Sequence, residues 1–270
     1  MTAKIDKIFL ERHSTKLSLA VSLLDDYSKG KPIGRVEVSL KGRKEKPVKN
    51  LSSYYLFLKL PDDSYTVQVR SDFYFDEELD IDLAGFKEPT AINLKPKPSY
   101  PFSAGATLIR GAVANTGITA KIKAPKEKKK AVIFCEGDFC IVPAGTSSIR
   151  LAEADINKDD AYMIMDSNKT RIEFCRITDI PADPSNNPYS IEKPLRFEHA
   201  DETPLHKMVE ERTLDVKHTE KGEFVSYFSM VKSYKTLVDL EISYPDHTEK
   251  IIRDIEVEEG KTTSLKSDEL

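Results

Sequence analysis

The sequence predicts an all-β protein of the β-sandwich type, and three observations carry that prediction. Short runs of alternating apolar and polar residues follow one another along the chain. Pro, Gly, Asp and Asn collect between these runs, where turns need them. Helical spacing of apolar residues is nearly absent. At 270 residues the chain suggests about two domains. Its 39% apolar content is modest, but 12 Phe and 11 Tyr supply a core and argue against disorder.

The first run is Leu17–Leu24, with Leu17, Leu19, Val21 and Leu23 on one face. It follows Lys4, Lys7, Arg12 and Lys16, as a signal peptide would. It is short, however, runs into Asp25-Asp26, and lacks a small-x-small cleavage site, so a strand is the better reading. Gly30 to Gly34 turns the chain. Arg35–Leu40 then alternates Val36, Val38 and Leu40 against Arg35, Glu37 and Ser39. Tyr54–Leu60 follows, with Tyr55 and Phe57 expected on one face and Tyr54 and Leu56 on the other. Pro61 to Ser64 is a turn, and Tyr65–Arg70 the next strand. Asp72–Leu83 and Ala91–Leu94 complete the first set.

Pro96, Pro98 and Pro101 then interrupt any sheet, and a stiff, extended connection is expected over residues 98–104. The first domain is therefore 1–97 and the second 105–270. The charge changes at this boundary: residues 1–98 carry net +2 and the remainder net −6, for −4 overall.

The second part predicts strands at 107–113, 117–123, 162–165, 171–177, 224–228, 236–243, 250–256 and 262–265. Asp166 to Lys169 reads as a hairpin turn, residues 179–194 as a long Pro-rich loop, and Pro204–Arg212 as one short helix. Cys135 and Cys140 flank a predicted two-residue turn at Gly137-Asp138. Such a hairpin would allow a cross-strand disulfide. With no oxidising address in the chain, two reduced thiols are the favoured state. A weak internal repeat relates 65–83 to 237–257, and more loosely 56–65 to 222–231.

Near-neutral charge argues against a nucleic-acid partner, and no stretch approaches the ~18 apolar residues of a membrane span. The residues that could do chemistry are sparse. His199, Asp201 and His206 are the only cluster of metal-ligand types, and Pro204 breaks the helix that would align them, so no metal and no cofactor are expected. There is no phosphate-binding glycine loop and no G-x-S-x-G elbow. The basic run Lys41–Lys49, the lysines of 126–130 and the acidic 72–82 read as solvated loops or guarded sheet edges. Ser267–Leu270 looks like a retention tag, which without a signal peptide is only an acidic terminus.

The run Gly34–Gly42, the aromatics Tyr54-Tyr55 and Phe57, and L-P-D-D-S-Y-T-V-Q-V at 60–69 resemble carboxypeptidase regulatory-like domains over residues 15–98. Ser53 and Asp63 stand where that family carries glycines. The resemblance implies a transthyretin-like (prealbumin-like) fold without catalytic residues. The run 222–265 resembles the family more faintly, which makes 126–215 an insertion in a second sandwich. The fold expected is thus two Ig-like or prealbumin-like β-sandwich domains, the second with a long β-rich insertion.

The function expected is a non-enzymatic structural or interaction module, an accessory piece of a larger surface or tail-like assembly, with protein partners and self-association both open. The alternative is a carbohydrate- or peptide-binding module that uses Tyr54, Tyr55, Phe73, Tyr74 and Phe75. A second alternative is a hydrolase built in the 126–215 insertion. The expected compartment is the cytoplasm, or an exported assembly.

Overall fold

The computed structural model describes residues 16–84, 88–113, 117–136, 140–152, 155–228 and 234–266. Among these there is no α-helix, and the architecture is all-β. The chain divides into two compact units, Met1–Pro101 and Phe102–Leu270.

The first unit contains β1 (Leu17–Asp25), β2 (Val36–Leu40), β3 (Val48–Lys49), β4 (Tyr55–Leu58), β5 (Ser64–Ser71), β6 (Glu77–Asp82) and β7 (Thr90–Leu94). One sheet has the order β3-β4-β1-β7 and the other β2-β5-β6. Period-2 alternation places Leu19, Val21, Leu23, Tyr55, Phe57 and Leu94 inward from the first sheet, and Val38, Leu40, Tyr65, Val67, Val69 and Ile81 inward from the second; all are buried. The third strand of the second sheet starts later than the alternation suggests, at Glu77, and Leu79 is exposed. Ser53 adopts φ 69° and Lys59 φ 56°, both in the left-handed region, whereas Asp63 does not.

The Pro-rich segment is not a free connection. Pro96 bridges Tyr74, Lys97 N–H donates to the Phe73 carbonyl at 2.8 Å, and Tyr100 is buried within the first unit. Phe102 instead packs against Tyr227 and lies under Arg110 in the second unit. The segment is thus ordered by its aromatic residues, which the proline count alone does not reveal.

The second unit begins with β8 (Leu108–Ala112) and β9 (Gly117–Pro125). The inserted strands are β10 (Ala131–Ile133), β11 (Ile141–Val142), β12 (Ser148–Ile149), β13 (Leu151–Ala152), β14 (Ala161–Met165), β15 (Ile172–Asp179), β16 (Tyr189–Ile191) and β17 (His199–Ala200). The sandwich resumes with β18 (Pro204–Val216), β19 (Glu223–Tyr227), β20 (Lys235–Ser243), β21 (Glu249–Glu258) and β22 (Thr262–Ser264). Ile109, Ile118, Ile122, Phe224, Val238, Leu240 and Val257 share one core. Ile133, Tyr162, Ile164, Ile177, Tyr189 and Leu205 share another within the insertion.

The two units share a topology. β4-β1-β7 recurs as β19-β8-β22, in both cases with an antiparallel and a parallel neighbour about the first strand. β2-β5-β6 recurs as β9-β20-β21, antiparallel throughout. The remaining strand differs: β3 lies beside β4, while its counterpart β18 lies beside β9 in the opposite sheet. The segments 65–83 and 237–257, similar in sequence, are the equivalent hairpins β5–β6 and β20–β21.

Three expectations need correction. Residues 204–212 are not helical but begin the 13-residue strand β18. Its first half pairs with β10 and β14, its second with β9, so it serves different cores in turn and its alternation blurs. For the same reason the insertion does not end at 215, since β18 pairs with β9 from Met208 onward. The loop expected at 179–194 contains β16, which pairs with β12 and β15. The β14–β15 hairpin turns at Asp166–Lys169, where Asp166 accepts from the Thr170 N–H at 2.8 Å.

The insertion is tied to the sandwich by a half-buried ion cluster. Asp254 on β21 accepts from Lys123 at 2.9 Å and pairs with Arg176 of β15; Lys123 also pairs with Asp239 at 2.8 Å. Burial acts to raise the Asp254 carboxyl, but the Lys123 and Arg176 hydrogen bonds outweigh it and hold it below the ordinary value.

Candidate functional site

The first unit presents two unlike outer faces. On the β2-β5-β6 sheet the outward residues are polar and charged. Glu37 stands opposite Arg70, Gln68 Nε2 donates to Glu78 at 2.6 Å, Thr66 Oγ1 donates to Asp80 at 2.6 Å, and Lys41 pairs with Glu78 at 2.8 Å. This is the ordinary solvated side of an antiparallel sheet.

The β3-β4-β1-β7 sheet is different. Its cross-strand register places Val48, Leu56 and Ala20 in one outward row, and Leu58 in a second with Leu17, which a register shift before Leu19 turns away from the inward face that alternation assigns to it. Ser22 with Ala91, and Leu24 with Asn93, form two more. None of these outward positions is charged. Val48 is 55% exposed, Leu17 50%, Leu24 39% and Leu58 38%. Leu51, in the turn between β3 and β4, is fully exposed. A chain that is 32% charged leaves one whole sheet face aliphatic or small and neutral. Contiguous exposed apolar surface of this kind marks interaction sites more often than scattered single residues do.

Tyr54 precedes β4 at the position that alternation assigns to this face, and it is half-buried. The other aromatics expected beside it lie elsewhere. Tyr55 is buried under the sheet, with Lys49 over its ring at 5.0 Å. Tyr74 is fully buried; its hydroxyl donates to Asp25 at 3.1 Å and accepts from the Ile33 N–H. Phe73 packs against Gly34, where an added Cβ would stand 2.6 Å from the ring. Phe75 is half-buried, and its N–H donates to the Lys95 carbonyl. The five therefore do not form one site, because two of them are core residues and the others belong to different elements. Part of the basic run also covers an aromatic ring, since Arg43 lies over Tyr65 at 5.4 Å.

The residues of metal-ligand type also separate. His199 is buried, with Nε2 2.5 Å from Glu173 Oε1. Asp201 accepts from the Cys135 N–H at 2.9 Å, and His206 Nδ1 lies 2.9 Å from the Lys126 carbonyl. Among the described residues no group of three or more His, Cys, Asp or Glu could hold a metal ion. Glu173, which the sequence offers no reason to single out, is the hub: it also accepts from the Arg196 N–H at 2.7 Å and the Phe197 N–H at 3.2 Å. Burial would raise its carboxyl, but the His199 bond and the two backbone N–H groups hold it below the ordinary value.

Cys135 and Cys140 are joined in a disulfide, with Cα atoms 5.8 Å apart, where the sequence favoured free thiols. Their flanks do not form a hairpin with each other. β10 pairs with β13 and β18, and β11 with β17. The expected turn at Gly137-Asp138 lies outside the described residues, as does the Ser267–Leu270 terminus. A cleft of about 440 Å³ beside the disulfide is lined by Phe134, Glu136, Ile141, Pro143 and Arg150, among others. Glu136 and Arg150 pair with each other there at 2.9 Å, and the Thr146 hydroxyl donates to the Pro143 carbonyl. Neither Glu173 nor His199 lines this cleft.

The neutral outer face of β3-β4-β1-β7 thus departs from the solvated face on the other side of the same unit. In comparison with known proteins, no family model, curated protein or solved structure matches the chain.

Proposed function

We propose that this chain is a non-catalytic interaction module, and that the outer face of β3-β4-β1-β7 is its binding surface. The observation that carries the reading is the contrast within one sandwich. The outward rows through Val48, Leu56 and Leu58 hold no charge, while each of those through Arg70, Glu78 and Asp80 holds at least one. A neutral, aliphatic sheet face suits a protein partner that excludes water from it, because apolar area removed from water contributes roughly 25 cal/mol per Å². The resemblance of residues 15–98 to carboxypeptidase regulatory-like domains supports the same reading, as those domains act beside other proteins and not as enzymes.

The test is photocrosslinking from each face of the intact protein in its own cells. A benzophenone side chain at Leu58 is expected to give a discrete adduct, and one at Glu78 none. The captured protein, once purified, should bind the wild type and lose affinity for Leu58→Asp, with the melting temperature kept. Equal labelling from both faces, or full affinity in Leu58→Asp, would overturn the reading.

A further inference from the structure

The β7 edge of the first unit carries an inference of its own. Among the described residues β7 ends its sheet, with β1 on one side and no strand beside Thr90–Leu94 on the other; just beyond it, on that other side, the Lys95 carbonyl and the Lys97 N–H are bonded to Phe75 and Phe73. The Leu94 carbonyl accepts from the Asp26 N–H on the β1 side, at 3.1 Å. N–H and C=O of one residue point the same way in a strand, and the direction alternates. Thr90, Ile92 and Leu94 therefore face β1, while the backbone groups of Ala91 and Asn93 face the open edge.

Edge strands are normally guarded by charge or by shortness. β2 carries Glu37, β6 carries Glu77, Glu78, Asp80 and Asp82, β19 carries Glu223, and β21 is charged along its length. β7 reads Thr-Ala-Ile-Asn-Leu. Among the described edge strands longer than three residues it alone is uncharged. That property selects its occupant. A two-fold axis sets an edge against its own copy, so a charged edge would bring like charges together. The β7 edge meets its copy without that cost.

We propose that β7 pairs antiparallel with β7 of a second copy of this chain, making one continuous sheet of twice the width. The axis passes at Ile92. Ala91 of each copy lies opposite Asn93 of the other, and each such pair exchanges two backbone hydrogen bonds. Ile92 meets its counterpart as a non-hydrogen-bonded pair, with both side chains turned into their own cores. The two neutral outer faces then lie side by side as one surface. This pairing goes beyond the proposed function and does not depend on it.

The experiment is sedimentation velocity on the full chain from micromolar to millimolar concentration. The average mass should climb from 30.5 kDa toward twice that value. Asn93→Lys puts a lysine on the edge, and Ala91→Pro removes an N–H that makes no bond within the sheet. Each should weaken association by roughly tenfold or more, with circular dichroism and melting unchanged. Leu58→Asp, on the face and away from the edge, should leave the mass unchanged while it abolishes partner binding, so the two proposals fail separately. A constant 30.5 kDa mass, or association retained in both edge variants, overturns the pairing. Association lost only in Leu58→Asp overturns it in favour of face-to-face stacking.

Discussion

Tyr100 donates a 2.6 Å hydrogen bond to the buried carboxylate of Asp25, 75 residues earlier in the chain. Tyr74 donates to the same oxygen at 3.1 Å, and the two rings meet edge to face at 5.5 Å. Ser28 and the Tyr27 N–H complete the shell. Burial acts to raise the Asp25 carboxyl, yet the bonds from Tyr100, Ser28 and the backbone hold it below the ordinary value. Its stabilisation is therefore full above the unfolded value and is lost as pH falls through the lower folded one. Tyr100→Phe removes one bond to a charge. The expected cost is about 1.5–3 kcal/mol near neutral pH, and acid unfolding should begin at a higher pH than in the wild type. Melts followed by circular dichroism across an acid series check both effects, and an unchanged acid midpoint would refute the role given to Tyr100.

Glu173 holds the 195–199 segment to β15 by its bonds to Arg196, Phe197 and His199. Glu173→Ala leaves a buried imidazole and two N–H groups without their acceptor. A loss of about 3 kcal/mol is expected, as for a broken buried pair. Asp201→Ala, which removes one exposed acceptor from Cys135, should cost under about 1.5 kcal/mol. Urea titration of the two variants measures the difference.

Gly34 sits at φ 71° with Phe73 closed over it. Gly34→Ala meets both the left-handed penalty and the ring, and should destabilise by about 2 kcal/mol. In Phe73→Leu, whose side chain can move aside, the same change should cost less. A double-mutant cycle by thermal denaturation reads the coupling, and strict additivity would show that the ring is not the obstacle.

Cys175 is buried, and burial first, then the Glu173 charge, pushes its thiol up to about 12. With Cys135 and Cys140 joined, the folded, unreduced protein should show no reactive thiol toward an aromatic disulfide reagent. In denaturant one thiol should appear, and after reduction all three. Prompt labelling of the native chain would mean that the disulfide is open or that Cys175 is accessible.

What was legible in the sequence followed from local alternation. Val36–Leu40 and Tyr65–Arg70 each serve one core with one face, so period 2 survives in their residues. β18 does not: Leu205, Met208 and Val216 enter three different apolar clusters. Its helix-like spacing is the imprint of those separate neighbours. The candidate surface was half legible. Alternation put Tyr54 and Leu56 opposite Tyr55 and Phe57, but nothing local pairs Val48 with Leu56 or sets Ala91 beside Ser22. Those neighbours are long-range register, and Glu173 likewise gains its importance only from a segment more than twenty residues away.

The sharing of β18 has a practical consequence for anyone wishing to trim the chain. Pro125 and Met208 are cross-strand partners. A short turn spliced between them would excise the insertion and still leave the sandwich all of its strands, with Met208 and Leu237 as the newly bared patch. A cut drawn at 126 and rejoined after 215 would instead remove the strand that edges β9. The insertion is thus less a detachable cassette than a long detour taken within a single hairpin.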